Sequence, residues 1–532
     1  MIELFTARSG APSLKVDGVA LHSLYDPRRE AQRFVRQALG EQTPAAVIVL
    51  GECVGHIAEA VAQAHPRALV LAAVYSPEIA RAARLPAAAN WDPSSPQALD
   101  EFLRLRLGEL QIEGLRVIEW PPSARAFPEA SRSANEAVRR VVQELNGSLV
   151  TTVAAGRLWL RNCFSNFLHI DTVLSGPLCG EARPIVIAAP GPSLEEAAGL
   201  LAEVRGRVAL WALPSSCPFL LESGLLPDLV VMTDPGFYAL HHLQFASPSC
   251  PLAMPLSAAR GSWDLHPRPA VALLEQPFVV ERSLLQAAGL SAPSVAPHGT
   301  VTATAIDLAL GATRAPVIVA GLDLGSRDLL SHARPNAFDR LLHLQSSRLH
   351  PHTSQWFGRA QLLGSTTVPG TDFRTSPALR TYAGWFDTGA PGSRDRLYRL
   401  LPSQVAAASM RPIDGPGLRE ILHASREGGS EAAPVPAPGY PGPAERTRIA
   451  AGLLGTWARQ VMEARDALSR GSVDLGRFPL VLELAHLVSP RRLVDALKKS
   501  RQGESKAARA AAVETLEECR GFLQGVAEKL VA

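Results

Sequence analysis

Ile185-Val-Ile-Ala-Ala-Pro-Gly-Pro-Ser-Leu194, followed at once by Glu195 and Glu196, decides the fold class of this chain. Its first five residues form an unbroken apolar run, the pattern of a parallel strand covered on both faces. Pro190, Gly191 and Pro192 stop that run, and Ser193 is a residue type that caps a helix start. A strand that turns through glycine directly into a helix is half of a βαβ unit, so the chain reads as α/β. The turn aims backbone N–H groups and the positive end of the helix dipole at the carboxyl edge of the sheet, where a phosphate or carboxylate can sit. On spacing alone, the same residues also describe a plain capped strand–helix turn.

Outward from this stretch the alternation continues. Val208 to Ala212, Leu229 to Thr233 and Val317 to Ala320 read as further buried strands, with helical material at Leu194 to Val204 and Thr302 to Leu310. Three more groups fall where open α/β sheets bind ligands, beyond the carboxyl ends of strands. In Pro227-Asp-Leu-Val-Val-Met-Thr-Asp-Pro235 a strand delivers Asp234, suited to a sugar or ribose hydroxyl, although an Asp-Pro pair also starts turns. In His298-Gly-Thr-Val-Thr-Ala-Thr304, Gly299 and Thr300 open a second helix and make a second anion cradle beside His298. In Val317-Ile-Val-Ala-Gly-Leu-Asp-Leu324 the strand ends at Gly321 and Asp323, and His332 follows on the next loop as a candidate general base.

The chain is too long for one core, with 532 residues, 47% hydrophobic and 19% charged. Residues 1–148 alternate Ala46 to Leu50, the helix His56 to Ala64, Ala68 to Val74 and Leu115 to Glu119, a Rossmann-like pattern. Its Leu50-Gly-Glu-Cys-Val-Gly55 turn lacks G-x-G-x-x-G and no partner acid follows, which argues against a cofactor there. Residues 149–426 form the principal, doubly wound domain, in which Trp159, Asn162 and Asn166 share a helical stretch. Residues 427–443 (EGGSEAAPVPAPGYPGP) read as an extended Pro/Gly linker, and 444–532 as a helical bundle suited to capping the principal domain or joining copies of the chain. A formal charge of +3 gives no reason to expect nucleic acid, and the six cysteines include no C-x-x-C pair, which argues against a zinc site and fits a reducing compartment. With no apolar run long enough for a membrane span and no basic-then-apolar start, the expected location is the cytoplasm.

The order of these motifs resembles the motility accessory factor (Maf) family, which contains bacterial flagellin glycosyltransferases. The resemblance runs from about Trp159 to Ile421, through GPSL, PD-φ-φ-φ-x-DP, H-G-T-V and G-x-D-L, to Thr375-Ser376 and Tyr382-x-x-Trp385-Phe386. His22-Ser-Leu-Tyr-Asp-Pro27 and the overall layout look like spirochaete-type members. The resemblance implies a central domain similar to bacterial sialyltransferases, moving a nonulosonic acid of the pseudaminic or legionaminic type from its CMP-sugar to Ser or Thr of flagellin. By position, Gly191, Pro192 and Ser193 then line the nucleotide, Asp234 lies by the donor, and His298, Gly299 and Thr300 stand at the other helix mouth. His332 and Asp323 fall at the catalytic positions. No cofactor is required beyond the CMP-sugar donor, and Mg²⁺ is an optional aid. Pro190 before Gly191, Pro214-Ser215-Ser216 after the second strand, and the missing glycine pair between Leu401 and Asp414 depart from the family pattern. An offshoot of the same domain resembles 6-hydroxymethylpterin diphosphokinase, and a non-catalytic flagellar assembly factor is a third reading.

Overall fold

The computed structural model describes residues 1–531 apart from 42, 84, 86–88, 297, 363–365, 369–370, 389–394, 404–406, 426–433 and 471–474. The chain folds into two compact units, residues 1–156 with 458–522, and residues 157–457 with 523–532. This grouping differs from the consecutive domains expected from sequence. The boundary expected at 148 lies inside one helix of 42 residues, Pro128–His169. A lone glycine costs a helix only about 1 kcal/mol, so Gly147 does not end it.

The second unit is built on one sheet. Its strands are β1 (Val173–Ser175), β2 (Ile185–Ala188), β3 (Ala209–Ala212), β4 (Leu229–Val231) and β5 (Leu252–Pro255), then β6 (Val271–Leu274), β7 (Val317–Ala320), β8 (Leu397–Leu400), β9 (Arg411–Ile413) and β10 (Val435–Pro436). Their spatial order is β9-β8-β7-β2-β3-β4-β5-β6-β1-β10. All pairs are parallel except β10 on β1. The deciding stretch therefore occupies the middle. Ile185 pairs with Ala209 on one side and Val317 on the other, and every residue of β2 is buried. From β2 the chain winds through β3 to β6 in one direction, then returns to β7 on the other side of β2. That reversal is a topological switch point, and open α/β sheets bind ligands beyond the carboxyl ends of strands such as β2 and β7.

β1, β5, β6, β8, β9 and β10 were not anticipated. Leu252-Ala-Met-Pro255 ends in proline and Arg411-Pro-Ile413 contains one, so neither shows a clean apolar run. The described part of the expected linker, from Pro434, is built into the second unit. Residues 427–433 lie outside the described residues. Val435–Pro436 adds an antiparallel edge strand, and the Ala437 N–H donates to the Val173 carbonyl (2.7 Å). Proline is tolerated there because an edge strand leaves one row of backbone groups unpaired. The Arg446 Nη1 then donates to the Phe167 carbonyl (3.2 Å).

The first unit carries its own parallel sheet of Ala46–Leu50, Leu69–Ala73, Asn90–Trp91 and Leu115–Glu119, with Ala46–Leu50 between Leu69–Ala73 and Leu115–Glu119. It is preceded by a three-stranded antiparallel meander, Ile2–Thr6, Pro12–Val16 and Val19–Ala20, that the sequence reading passed over. The Glu52 carboxylate, almost fully buried, accepts from the N–H groups of Cys53 (2.8 Å), Gly55 (3.0 Å) and Ala58 (2.8 Å). It fills the helix mouth where a dinucleotide's phosphates would sit.

The loops at the carboxyl edge of the large sheet are fastened from beneath. Asn162 Nδ2 donates to the Pro235 and Ser257 carbonyls (both 3.1 Å), and Asn166 Nδ2 to those of Leu256 and Ala258 (both 2.8 Å). Both side chains are fully buried. Glu281, also fully buried, accepts from the backbone N–H groups of Leu256 and Gln276. Burial pushes its carboxyl up to about 8, against the pull of those N–H groups and that of Ser257. The folded value lies above the ordinary one, so this stabilising contribution is complete in acid and is lost as pH rises through 8. The urea midpoint of the protein should therefore fall between about pH 5 and about pH 9, and Glu281→Gln should remove that component. An unchanged slope in the variant would show that other groups set it.

Candidate functional site at the switch point

Three of the residues picked from sequence meet at the carboxyl ends of β2 and β7. After β2, the Gly191 N–H donates to the Gly321 carbonyl after β7 (2.8 Å), and the Ala189 N–H to the Ala320 carbonyl (2.8 Å). The Ser193 N–H donates to Asp323 Oδ2 (2.7 Å) and the Ser193 hydroxyl to Asp323 Oδ1 (2.7 Å). Neither glycine can be replaced without movement. A Cβ on Gly191 would stand 2.4 Å from Asp323 Oδ2, and one on Gly321, at φ +73°, would stand 2.2 Å from the Ala189 carbonyl oxygen.

This geometry revises two readings. The helix Ser193–Val204 has Pro192 at its cap position, and Ser193 is its first residue. Its cap is supplied across the sheet by the Asp323 carboxylate. A carboxylate is favoured there by the unpaired N–H groups and the helix dipole, so this mouth already holds an anion of the protein's own. Gly191 is thus needed for the approach of the two strand ends, and Asp323 positions Ser193.

His332 is brought to the same turn by its neighbours. The Ala333 N–H donates to the Pro190 carbonyl (2.8 Å) and the Arg334 N–H to Glu195 Oε1 (2.8 Å), stitching the His332 loop onto the Pro190–Glu195 turn. Arg327 adds an ion pair to Glu196 (2.6 Å). Within the loop, Leu324, Asp328 and Leu329 adopt positive φ (45°, 49° and 67°), a costly conformation for such side chains that neighbouring contacts must hold. The His332 Nδ1 lies 2.8 Å from the Ser331 hydroxyl, and burial pushes the ring down to about 4. It is therefore neutral at pH 7. Beside it, 6.2 Å between ring centres, is His242, which the sequence reading did not single out. His242 is buried, pushed down to about 3 mainly by burial, and its Nε2 has no partner. Phe338 packs on both rings (4.7 and 5.1 Å).

Arg399 on β8 was also missed. Burial lowers its pKa while the charge of Asp323 raises it, and its Nε is buried without a partner. No glycine turn or strand-end acid marks such a residue in sequence. Only the parallel register of β8 on β7 places it at this edge.

The other expected residues are tied up locally. Asp234 is exposed and accepts from the Gly236 N–H (2.7 Å), a turn contact. Phe237 and Tyr238, just beyond it, are 61% and 50% exposed. Thr300 caps the helix Val301–Ala312, accepting from the Ala303 N–H (3.2 Å). His298 Nε2 is paired with Asp307 of that helix and packs on Trp385 (4.6 Å). Gly299 is exposed at φ +72°, and the Tyr382 ring stands beside it, 3.4 Å from where a Cβ would lie. Among the described residues, no three His, Cys, Asp or Glu side chains are grouped to hold a metal ion. Among the same residues, no helix is long and apolar enough to cross a membrane.

Residues 159–328, which include β1 to β7 and the switch point, match the family described as MptE-like, 6-hydroxymethylpterin diphosphokinase MptE-like. Across 99% of the chain the fold follows the structure of a Maf glycosyltransferase from Magnetospirillum magneticum AMB-1 (TM-score 0.52, 13% identity, 91% of that chain covered). The chain is Maf-like in fold, with an MptE-like central domain. Sequence relatives occur in Treponema pallidum (strain Nichols). One, described as an uncharacterized protein, is 24% identical over 321 residues, covering 60% of this chain and 67% of its own. A second of the same description is 25% identical over 227 residues, covering 40% and 38%.

The Asp323 clasp should be the costliest polar contact to lose at this edge. Asp323→Asn keeps the volume but removes the charge and one acceptor, and should destabilise the protein by roughly 2 kcal/mol in urea unfolding. A midpoint equal to the parent's would mean that the clasp does not hold the turn.

Proposed function

We propose that the protein is a glycosyltransferase that moves a nonulosonic acid of the pseudaminic or legionaminic type from its CMP-sugar to a Ser or Thr hydroxyl of flagellin. The observation that carries the reading is the β2–β7 switch point, in a chain that follows a Maf glycosyltransferase along almost its whole length. In this reading the donor's phosphate lies over the carboxyl edge. Arg399 supplies the cation, and the exposed helix mouth at Gly299 and Thr300 supplies backbone donors. The bond from the sugar's anomeric carbon to the phosphate oxygen breaks, and both electrons leave with CMP. The oxocarbenium-like sugar is then captured by the acceptor oxygen, whose proton passes to neutral His332. Gly191, Ser193 and Asp323 hold the turn that carries these groups. Asp234, with exposed Phe237 and Tyr238 beside it, offers a carboxylate and two ring faces to a sugar.

The match of residues 159–328 to an MptE-like family supports a second reading, pyrophosphate transfer from ATP to 6-hydroxymethylpterin. Calorimetry separates the two, because the first requires CMP to bind and the second requires ATP and the pterin to bind in its place.

Intact-mass analysis should show flagellin losing one or more nonulosonate masses in cells without this gene. His332→Ala should lower transfer by about 10²–10⁴-fold with CMP affinity near that of the parent. Because the ring is held near pH 4, the parent rate should stay flat in mild acid and drop only as His332 protonates. A break near the ordinary histidine value, about 6.5, would assign the base to another group.

A further inference from the structure

The first unit has a cavity of about 370 Å³ that the proposed chemistry does not use. It opens at the amino ends of the strands Ala46–Leu50 and Leu115–Glu119, the edge opposite the one that carries Glu52. Its walls include Arg116, Lys498 and Arg501, together with Glu41, Glu113 and Thr43, and among the described residues no aromatic or aliphatic side chain larger than Pro44. At 370 Å³ the cavity is near the small end of the range for ligand pockets.

Lys498 and Arg501 end the helix Pro490–Arg501, where cations complement the helix dipole. That explains their type but not their surroundings. Lys499 of the same turn is paired to Asp495 (2.7 Å), as an ordinary surface cation is. Among the described residues, no ion pair or hydrogen bond joins the charged groups of Lys498 or Arg501 to Glu41 or Glu113. The Arg501 guanidinium is half-buried, and burial lowers its pKa with only the charge of Glu113 opposing. It lies beside Gly114, where a Cβ would stand 3.1 Å from Nη2 and 2.7 Å from the Ala45 Cβ. A guanidinium does not give up its proton at neutral pH. A partly desolvated, unpaired cation facing a cavity with two more cations is a standing demand for an anion. Glu113 meets part of that demand through its charge alone, and both glutamates and Thr43 can accept from hydroxyl groups.

We propose that this cavity binds a small organic phosphate that carries hydroxyl groups, of the hexose-phosphate class. The phosphate sits among Arg501, Lys498 and Arg116, and the hydroxyls donate to Glu41 and Glu113. Calorimetry on the full chain tests this with glucose 6-phosphate, inorganic phosphate and glucose. Glucose 6-phosphate should bind one per chain, inorganic phosphate more weakly, and glucose not at all. Lys498→Gln with Arg501→Gln should weaken glucose 6-phosphate by at least about tenfold, or about 1.4 kcal/mol, and leave CMP titrations unchanged. Lys498→Gln alone, at an exposed position that leaves the fold intact, should give part of that loss. Unchanged affinity in both variants, equal affinity for phosphate and the hexose phosphate, or no heat up to about 10 mM would each overturn the proposal.

Discussion

A single carboxylate holds the working edge of the large unit together. Asp323 leaves the end of β7 and takes both the N–H and the hydroxyl of Ser193, the first residue of the helix that follows β2. Two glycines make that contact sterically allowed, and the loop beyond it carries His332 back onto the same turn. The approach of two strand ends and the polarity of a helix start are therefore one interaction. The helix mouth at the switch point has its charge already balanced, and the proposed function therefore assigns a donor's phosphate to Arg399 and to the second mouth at Gly299.

The smaller unit repeats the device. Glu52 occupies the first helix mouth of its parallel sheet with three backbone hydrogen bonds. In both places an acid of the protein stands where a related fold would place a nucleotide's phosphate. In the first unit this explains a glycine-containing turn that lacks the phosphate-binding spacing.

Much of the fold was legible because burial on both faces writes itself as unbroken apolar runs. Ala46–Leu50, Ile185–Ala188 and Val317–Ala320 are such runs, and each is a strand at or within a residue of its expected bounds. Strands carrying proline or arginine, such as Arg411–Ile413 and Leu397–Leu400, gave no such signal, since register on a neighbour rather than local composition makes them strands. At the site, the glycine turn at Gly191 and the strand-end acid at Asp323 were each visible, but a partnership across 130 residues leaves no local mark. His242, Glu281 and Arg399 stayed hidden because their importance comes from burial, which tertiary packing alone decides. The placement of helices after Pro443 also escaped the sequence, because periodicity shows that a helix has an apolar face and not which core covers it.

The division of the chain has a consequence for its biosynthesis. Residues 458–522 belong with residues 1–156, so the first unit cannot complete its core until residues 458–522 have left the ribosome. At bacterial-scale elongation of about 5–20 residues per second, the stretch between Gly156 and Ala458 takes roughly 15–60 s to make. During that wait the nascent sheet Ala46–Leu50, Leu69–Ala73 and Leu115–Glu119 stands without its C-terminal helices. The central unit, whose edge strand Val435–Pro436 emerges earlier, has all its strands first. Residues 458–522 thus emerge after the strands of the central unit and finish the unit that emerged first.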